Sequence, residues 1–270
     1  MFLPTIYWQD GKRTKQYLEM LVDDLMTEYN VTQQTSNQGS MELGGNAGKI
    51  LAKYRRDNGS QHQIEGQIKK SDAALFKDLY TILDSQNMIQ TLVGFDDDIW
   101  NQLKTGEFLL ITGEFKQSPA ELVLSSMFDV VEQFKGFFEV ASTQDQIQKI
   151  ELASNIFKYK KVTMLIEPYI EGDHKFFTSL DSNNFVEDKY DLEGEFTILA
   201  KIKRVYQPHQ KVDLMKLLPG KLSMKKEQLL TILPTLDNEN LSFDVGEINE
   251  DSFEIKGPAI ELTPIAIYQE

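Results

Sequence analysis

The 270-residue chain contains no cysteine, which excludes disulfides, thiolate nucleophiles, zinc fingers and iron–sulfur clusters. Its three histidines do not have the two-histidine spacing of a zinc site. No run of eighteen apolar residues could form a membrane-spanning helix. The opening MFLPTIYWQD has no basic residue ahead of its short apolar run, so it does not match a signal peptide. These absences predict a cytoplasmic protein outside the membrane.

Basic residues are scarce relative to acidic ones. The chain has 28 Lys and Arg against 42 Asp and Glu, a net charge of −14. An acidic surface keeps a protein soluble and repels polyanions, which argues against a general nucleic-acid binder. Hydrophobic residues make up 41% of the chain and aromatic residues 10%, enough for a packed core.

Hydrophobic periodicity predicts both helices and strands. Helical spacing of apolar residues predicts a helix that follows Gly11 and another capped by Ser71, and Ser118-Pro119-Ala120-Glu121 is a typical helix start. Alternating or continuous apolar runs predict strands, listed here as 2–8, 107–115, the two arms of a hairpin around 171–173, 195–206, 253–255 and 259–268. Pro264 predicts that the last strand is broken or lies at an edge.

No regular βαβ rhythm connects these elements. The sequence therefore predicts an α+β fold with mixed helices and mostly antiparallel sheets. Strand patterns predominate after Tyr159. This change suggests two subdomains, an α+β part over 1–159 and a β-rich part over 160–270. The polar, glycine-rich stretch around 32–48 is predicted to be a long exposed loop.

The segment LGGNAGKI, residues 43–50, raises the question of a phosphate-binding loop. That motif requires Gly, four residues, Gly, Lys and then Ser or Thr, directly after a buried strand. Here Leu43 stands in place of the first glycine and Ile50 in place of the hydroxyl, and the upstream segment is polar. We interpret the segment as a linker, and no cofactor is expected.

Two other segments carry candidate chemistry. In EPYIEGDHKFF, the side chains of Glu171, Asp173 and His174, with Glu167, could supply ligands for a divalent metal, although Gly-Asp is equally typical of a hairpin tip.

The other segment has eight basic residues and one acid over 201–226, followed by seven acids and no basic residue over 237–254. Either the two segments pair with each other, or the first binds anions or nucleic acid in a salt-dependent way. The candidate anion-binding residues are Lys201, Lys203, Arg204, Lys211, Lys225 and Lys226.

Both ends of the chain resemble a family of uncharacterised bacterial proteins of similar length. The resemblance lies in the opening IYWQDGKRTKQYLEMLVDDL, the ending GPAIELTPIAIYQE and LAKIKRV at 199–205, about a fifth of the chain. Trp8-Gln9 departs from the usual Leu-Asp of that opening. The resemblance implies bacterial origin and a shared fold, and it carries no catalytic residue across because the family has no known function.

The sequence contains no Gly-x-Ser-x-Gly nucleophile elbow and no other recognisable active site. We therefore expect a non-enzymatic binding or regulatory module with a protein partner. The alternatives are an anion or nucleic-acid binder that uses the 201–226 segment and a metal-dependent enzyme at the 167–174 hairpin.

Overall fold

A computed structural model describes residues 4–22, 71–92, 97–119, 121, 161–169, 175–187, 191–214 and 253–269. The helices of this part are α1 (11–22), α2 (Asp72–Ser85) and α3 (Asp97–Gln102). The strands are β1 (Thr5–Gln9), β2 (Ile89–Thr91), β3 (Phe108–Gln117), β4 (Lys161–Pro168), β5 (Lys175–Asp181), β6 (Gly194–Tyr206), β7 (Lys211–Asp213), β8 (Glu254–Lys256) and β9 (Ala259–Gln269).

The predicted helix starts are confirmed by their caps. Ser71 accepts a hydrogen bond from the backbone N–H of Ala74 at the start of α2, and Ser118 accepts one from Glu121. At the start of α1, the side chain of Asp10 accepts a hydrogen bond from the backbone N–H of Arg13. Each side chain satisfies one of the backbone donors that a helix start leaves open.

Five strands close into a barrel. The strand β3 pairs with β4, β4 with β5, β5 with β9, β9 with β6, and β6 returns to β3. Every pair in this ring is antiparallel except β5–β9. Numbered along the chain, the ring order is 1-2-3-5-4-1, which is the connectivity of the OB fold, a five-stranded Greek-key barrel.

Two further strands extend the ring. The strand β1 pairs with the end of β9, and β2 pairs in parallel with the start of β3. The strand β9 therefore contacts β5 through its first residues, β1 through its last ones, and β6 along most of its length. Strands β7 and β8 form a separate two-stranded sheet.

Apolar side chains form two clusters. The first fills the barrel with the alternate residues of its strands, including the predicted inner positions Phe196, Ile198, Ala200 and Ile202 of β6. The second lies between the outer side of β6 and β9 and the helices α1 and α2, where Phe76 packs against Tyr268 with ring centroids 5.6 Å apart. Burial of one such side chain contributes about 1.5–3 kcal/mol, so the helices are held mainly by this second cluster.

The prediction of an α+β fold is wrong. Of the described residues, 51% lie in strands and 30% in helices, and the strands form a closed five-stranded barrel with few helices. Local periodicity identified each of the five barrel strands, but barrel closure depends on pairs such as β3–β6 and β5–β9 that are far apart in sequence. The prediction for Pro264 is also wrong, because β9 is continuous and lies between β6 on one side and β5 followed by β1 on the other. A β-bulge next to Pro264 shifts the register with β6, and a bulge is where a sheet tolerates proline.

Several predictions fall outside the described residues, namely the glycine-rich loop over 32–48, the LGGNAGKI segment and the domain boundary near residue 159. Strands from both sides of that boundary share one sheet, since β3 pairs with β4 and β6. None of the helices in the described ranges is long and apolar enough to cross a membrane.

Candidate functional site

Three glutamates lie in one row across three neighbouring strands. Glu114 of β3 is directly opposite Glu167 of β4 on one side and Glu195 of β6 on the other. All three point away from the barrel interior, because their neighbours Phe115, Ile166 and Phe196 belong to the interior cluster. Directly opposite residues are about 5 Å apart at Cβ, and like charges in this position are destabilising. The row is therefore an exception to ordinary strand pairing.

Lys116 partly compensates two of these charges. Its Nζ lies 2.8 Å from Oε2 of Glu167 and 3.3 Å from Oε2 of Glu114. The hydrogen bond to Glu167, followed by the one to Glu114, raises the pKa of Lys116. All three side chains are about half exposed, so water screens these ion pairs and each contributes little net stability.

Tyr169 stands at the other end of the row. Tyr169 is 61% exposed, and its hydroxyl is near enough to Glu195 for this carboxylate to raise its pKa. Desolvation of the hydroxyl, together with the negative charges of Glu195 and Glu114, raises the pKa of Tyr169. The tyrosine therefore stays protonated at neutral pH.

The hydroxyls of Thr112 and Thr197, which lie 2.9 Å apart, continue the same face. We call this surface the acidic wall and define it by Thr112, Glu114, Lys116, Glu167, Tyr169, Glu195 and Thr197. It carries three carboxylates, one ammonium group and one exposed aromatic ring. The arrangement fits a positively charged ligand that also presents a surface to stack on tyrosine.

The structure disperses the basic residues predicted to bind anions. Lys201 lies against α1, with Nζ 4.9 Å from the ring centroid of Tyr17 and 4.7 Å from that of Phe108. Desolvation in this position lowers the pKa of Lys201. Its ammonium group therefore belongs to the packing between helix and barrel.

Lys203 and Lys211 are both paired with carboxylates. Nζ of Lys203 donates to Oε1 of Glu261, and Nζ of Lys211 lies 3.0 Å from Oε2 of Glu254. The second pair joins the basic segment to the acidic one, as one of the two interpretations of the charge pattern expected. Arg204 is exposed and lies over the ring of Tyr206, 5.7 Å from its centroid. Lys225 and Lys226 lie outside the described residues, and anion binding by this set stays a prediction.

The predicted metal ligands Glu171, Asp173 and His174 also lie outside the described residues, so a metal site there stays a prediction. The neighbouring Glu167 is described and is engaged with Lys116. Within the ranges that the structure describes, no three His, Asp or Glu side chains are grouped so that they could hold a metal ion.

Sequence reasoning did not single out Glu114 and Glu195, although one signal was present. The tripeptide Gly-Glu-Phe occurs at 106–108, 113–115 and 194–196, and the last two lie on predicted strands. In the barrel these two tripeptides pair antiparallel, which places their glutamates opposite each other. The repeat indicates the row only once the pairing of β3 with β6 is known.

Comparison with curated proteins and with solved structures finds no match. A family model does match, over residues 3–268, nearly the whole chain. The predicted resemblance to an uncharacterised family is thereby confirmed. The chain belongs to the family described as a domain of unknown function, DUF6414.

Proposed function

We propose that the protein is a non-enzymatic binding module whose acidic wall takes a basic segment of a partner protein. The observation that carries this proposal is the row of Glu167, Glu114 and Glu195. A sequence that places three like charges opposite one another gives up stability, and natural proteins tolerate such local conflicts mainly at functional sites. Lysine or arginine side chains of a partner would remove the repulsion on binding.

Tyr169 supplies the second element of such a surface. Exposed tyrosine is typical of the few residues that dominate binding free energy, because its ring buries a large area and loses little conformational entropy. The influence of Glu195 and Glu114 on its pKa places the tyrosine beside the carboxylate row. A basic residue next to an apolar one would contact both.

The charge of the whole chain supports a basic partner. At −14 the protein attracts cationic surfaces over long range and accelerates their association. The OB connectivity supplies only an analogy, in which ligands such as oligonucleotides lie on the outer face of the second and third barrel strands. The corresponding β4–β5 face includes Phe177, which is fully buried here. A ligand therefore cannot reach the face at this residue.

The test compares one charge reversal on the acidic wall with a matched reversal elsewhere. Glu195→Lys places an ammonium group opposite Glu114 and should leave the fold intact. Asp84→Lys makes the same change of charge on the exposed end of α2. Proteins captured from lysate by the wild-type chain are identified, purified and titrated against all three forms at low and moderate salt.

We expect Glu195→Lys to weaken binding of at least one captured protein about tenfold and to flatten its salt dependence, while Asp84→Lys binds like the wild type. Equal affinity of the two variants for every captured protein would refute the acidic wall as a binding surface.

A further inference from the structure

A cleft of about 410 Å³ lies beside the start of α1, on a different part of the molecule from the acidic wall. Its walls come from α1, from α2 and from the short turn after β5. The volume is within the range of about 300–1,000 Å³ that is typical of small-molecule sites.

The α1 wall is basic and the α2 wall is acidic. Lys12 and Lys15 are three residues apart on α1 and both line the cleft. Asp72, the first residue of α2, lines it from the other side. Within the described part of the chain, Asp72 and Lys12 form no ion pair, and Lys15 has only a 3.7 Å contact with Glu19. The positive charges of Lys12 and Lys15 and the negative charge of Asp72 are thus available to a ligand.

Gly11 allows the carboxylate of Asp72 to sit where it does. A Cβ atom on residue 11 would lie 2.4 Å from Oδ2 of Asp72, so any larger residue would push this side chain away. The backbone of Asp72 is also fixed, because its carbonyl accepts a hydrogen bond of 2.6 Å from Nε2 of Gln9. Gln9 itself is buried at the end of β1.

The third wall is polar at Asn183 and Asn184. Its apolar part is formed by Phe185 and Val186, which line the cleft together with Leu75 of α2. Their position is held by β1, through a β-bridge between Trp8 and Phe185 and a hydrogen bond of 2.9 Å from the N–H of Val186 to the carbonyl of Tyr7. Both polar walls and the apolar wall are therefore anchored to β1, and the cleft is formed before any ligand arrives.

We propose that this cleft binds a small zwitterion with an apolar side chain, that is, an apolar α-amino acid or a short apolar peptide. The ligand carboxylate lies toward Lys12 and Lys15, its ammonium group toward Asp72, and its apolar part against Leu75 and Phe185. A ligand with only one of these charges would leave one polar wall without a partner and would therefore bind more weakly. This proposal does not rest on the acidic wall.

Calorimetric titration of the full chain tests the proposal with four probes. Leucine and leucyl-leucine carry both charges and represent the two sources of this chemistry. The compound 4-methylpentanoate lacks the ammonium group of leucine, and 3-methylbutylamine lacks its carboxylate. We expect one of the two zwitterions to bind at least tenfold more tightly than either singly charged analogue. Absence of binding by both zwitterions, or equal binding of an analogue, would overturn the proposal.

Variants then show which residues contact the ammonium group and which contact the carboxylate of the ligand. Asp72→Asn keeps the backbone contact with Gln9 and should remove the preference for the zwitterion over 4-methylpentanoate. Lys12→Met with Lys15→Met should remove the preference over 3-methylbutylamine. Asp84→Asn, an equivalent change outside the cleft, should have no effect. If Asp72→Asn binds the zwitterion as tightly as Asp84→Asn does, the assignment of the ammonium group is wrong.

Discussion

Lys203 donates a hydrogen bond from Nζ to Oε1 of Glu261, a carboxylate with a side chain that is only 8% exposed. The other oxygen, Oε2, accepts from the hydroxyl of Tyr206 at 3.1 Å. Desolvation, and next the charge of Glu261, raise the pKa of Tyr206, which keeps the tyrosine in its donating form. A lysine with the appearance of an anion-binding residue in the sequence thus neutralises a buried charge on the outer side of β9.

Replacing Lys203 should therefore destabilise the fold. Lys203→Met leaves the Glu261 carboxylate buried without its cation, and we expect the free energy of unfolding to fall by about 1 kcal/mol, since water reaches the half-exposed lysine position and replaces part of the interaction. Urea unfolding measures the change. Arg204→Met, on the same strand but exposed, serves as the control and should change less. Equal midpoints for both variants would contradict the role assigned to Lys203.

At Gly113 the backbone of β4 leaves no room for a side chain on β3. A Cβ atom there would lie 2.5 Å from the carbonyl oxygen of Glu167 and 2.8 Å from Cα of Pro168. Both are backbone atoms that can move only if the strand pair separates, so Gly113→Ala should cost about 3 kcal/mol or prevent folding. Denaturant unfolding or the soluble yield would show the loss.

Gly106→Ala is the comparison for Gly113→Ala. Residue 106 has φ of 93° but no atom within 4 Å of an added Cβ, so this variant carries only the cost of the left-handed backbone, about 1 kcal/mol. If both variants lose the same stability, contact with β4 is not the reason that residue 113 is glycine.

Removing a charge from the carboxylate row should raise the stability of the fold, whereas the preceding substitutions lower it. Glu195→Gln removes one of two like charges next to Glu114 and keeps an oxygen that can accept from Tyr169, so stability should rise by about 0.5 kcal/mol, or 1–2 °C in melting temperature. Lys116→Met should lower it. Both effects should shrink as salt is added, because the charges are exposed. A melting temperature that falls in Glu195→Gln at low salt would show that the row is not under repulsion.

Lys201 should make stability depend on pH in the alkaline range. Its pKa is lowered in the folded state, so between that pKa and 10.5 the unfolded chain binds more protons, and stability rises with pH. The destabilising contribution is complete below the folded pKa and is lost as the pH rises. Unfolding measured from pH 8 to 10 should show this rise in the wild type and not in Lys201→Met. Tyr17, for which desolvation raises the pKa, acts in the opposite direction above pH 10 and is common to both proteins.

Much of the local structure follows from the sequence. Ser71 caps α2 as predicted, and Leu79 and Ile82 lie on its buried face. The alternation of Phe196, Ile198, Ala200 and Ile202 correctly gives the inner face of β6. These signals depend on neighbours within a few residues, where backbone geometry alone decides which side chains share a face.

The arrangement of strands and sites does not follow in the same way. The pairing of Glu114 with both Glu167 and Glu195 depends on two strand registers that no local pattern specifies. Lys203 looks free in the sequence because its partner Glu261 is 58 residues away and reaches it only through the β6–β9 pair. The cleft likewise joins residues 11, 72 and 185, which meet because β1 contacts α2 through Gln9 and the turn after β5 through Trp8.

The position of β9 determines when the barrel can form during synthesis. This strand completes the pairing of β1, β5 and β6 and is encoded last among the barrel strands. Until β9 has been made, a growing chain that already contains β3, β4, β5 and β6 cannot close the ring, so its apolar strand faces stay open to chaperones or to other nascent chains. Formation of the barrel should therefore follow the synthesis of β9, and its rate should be limited by pairs of distant strands such as β3–β6 and β5–β9.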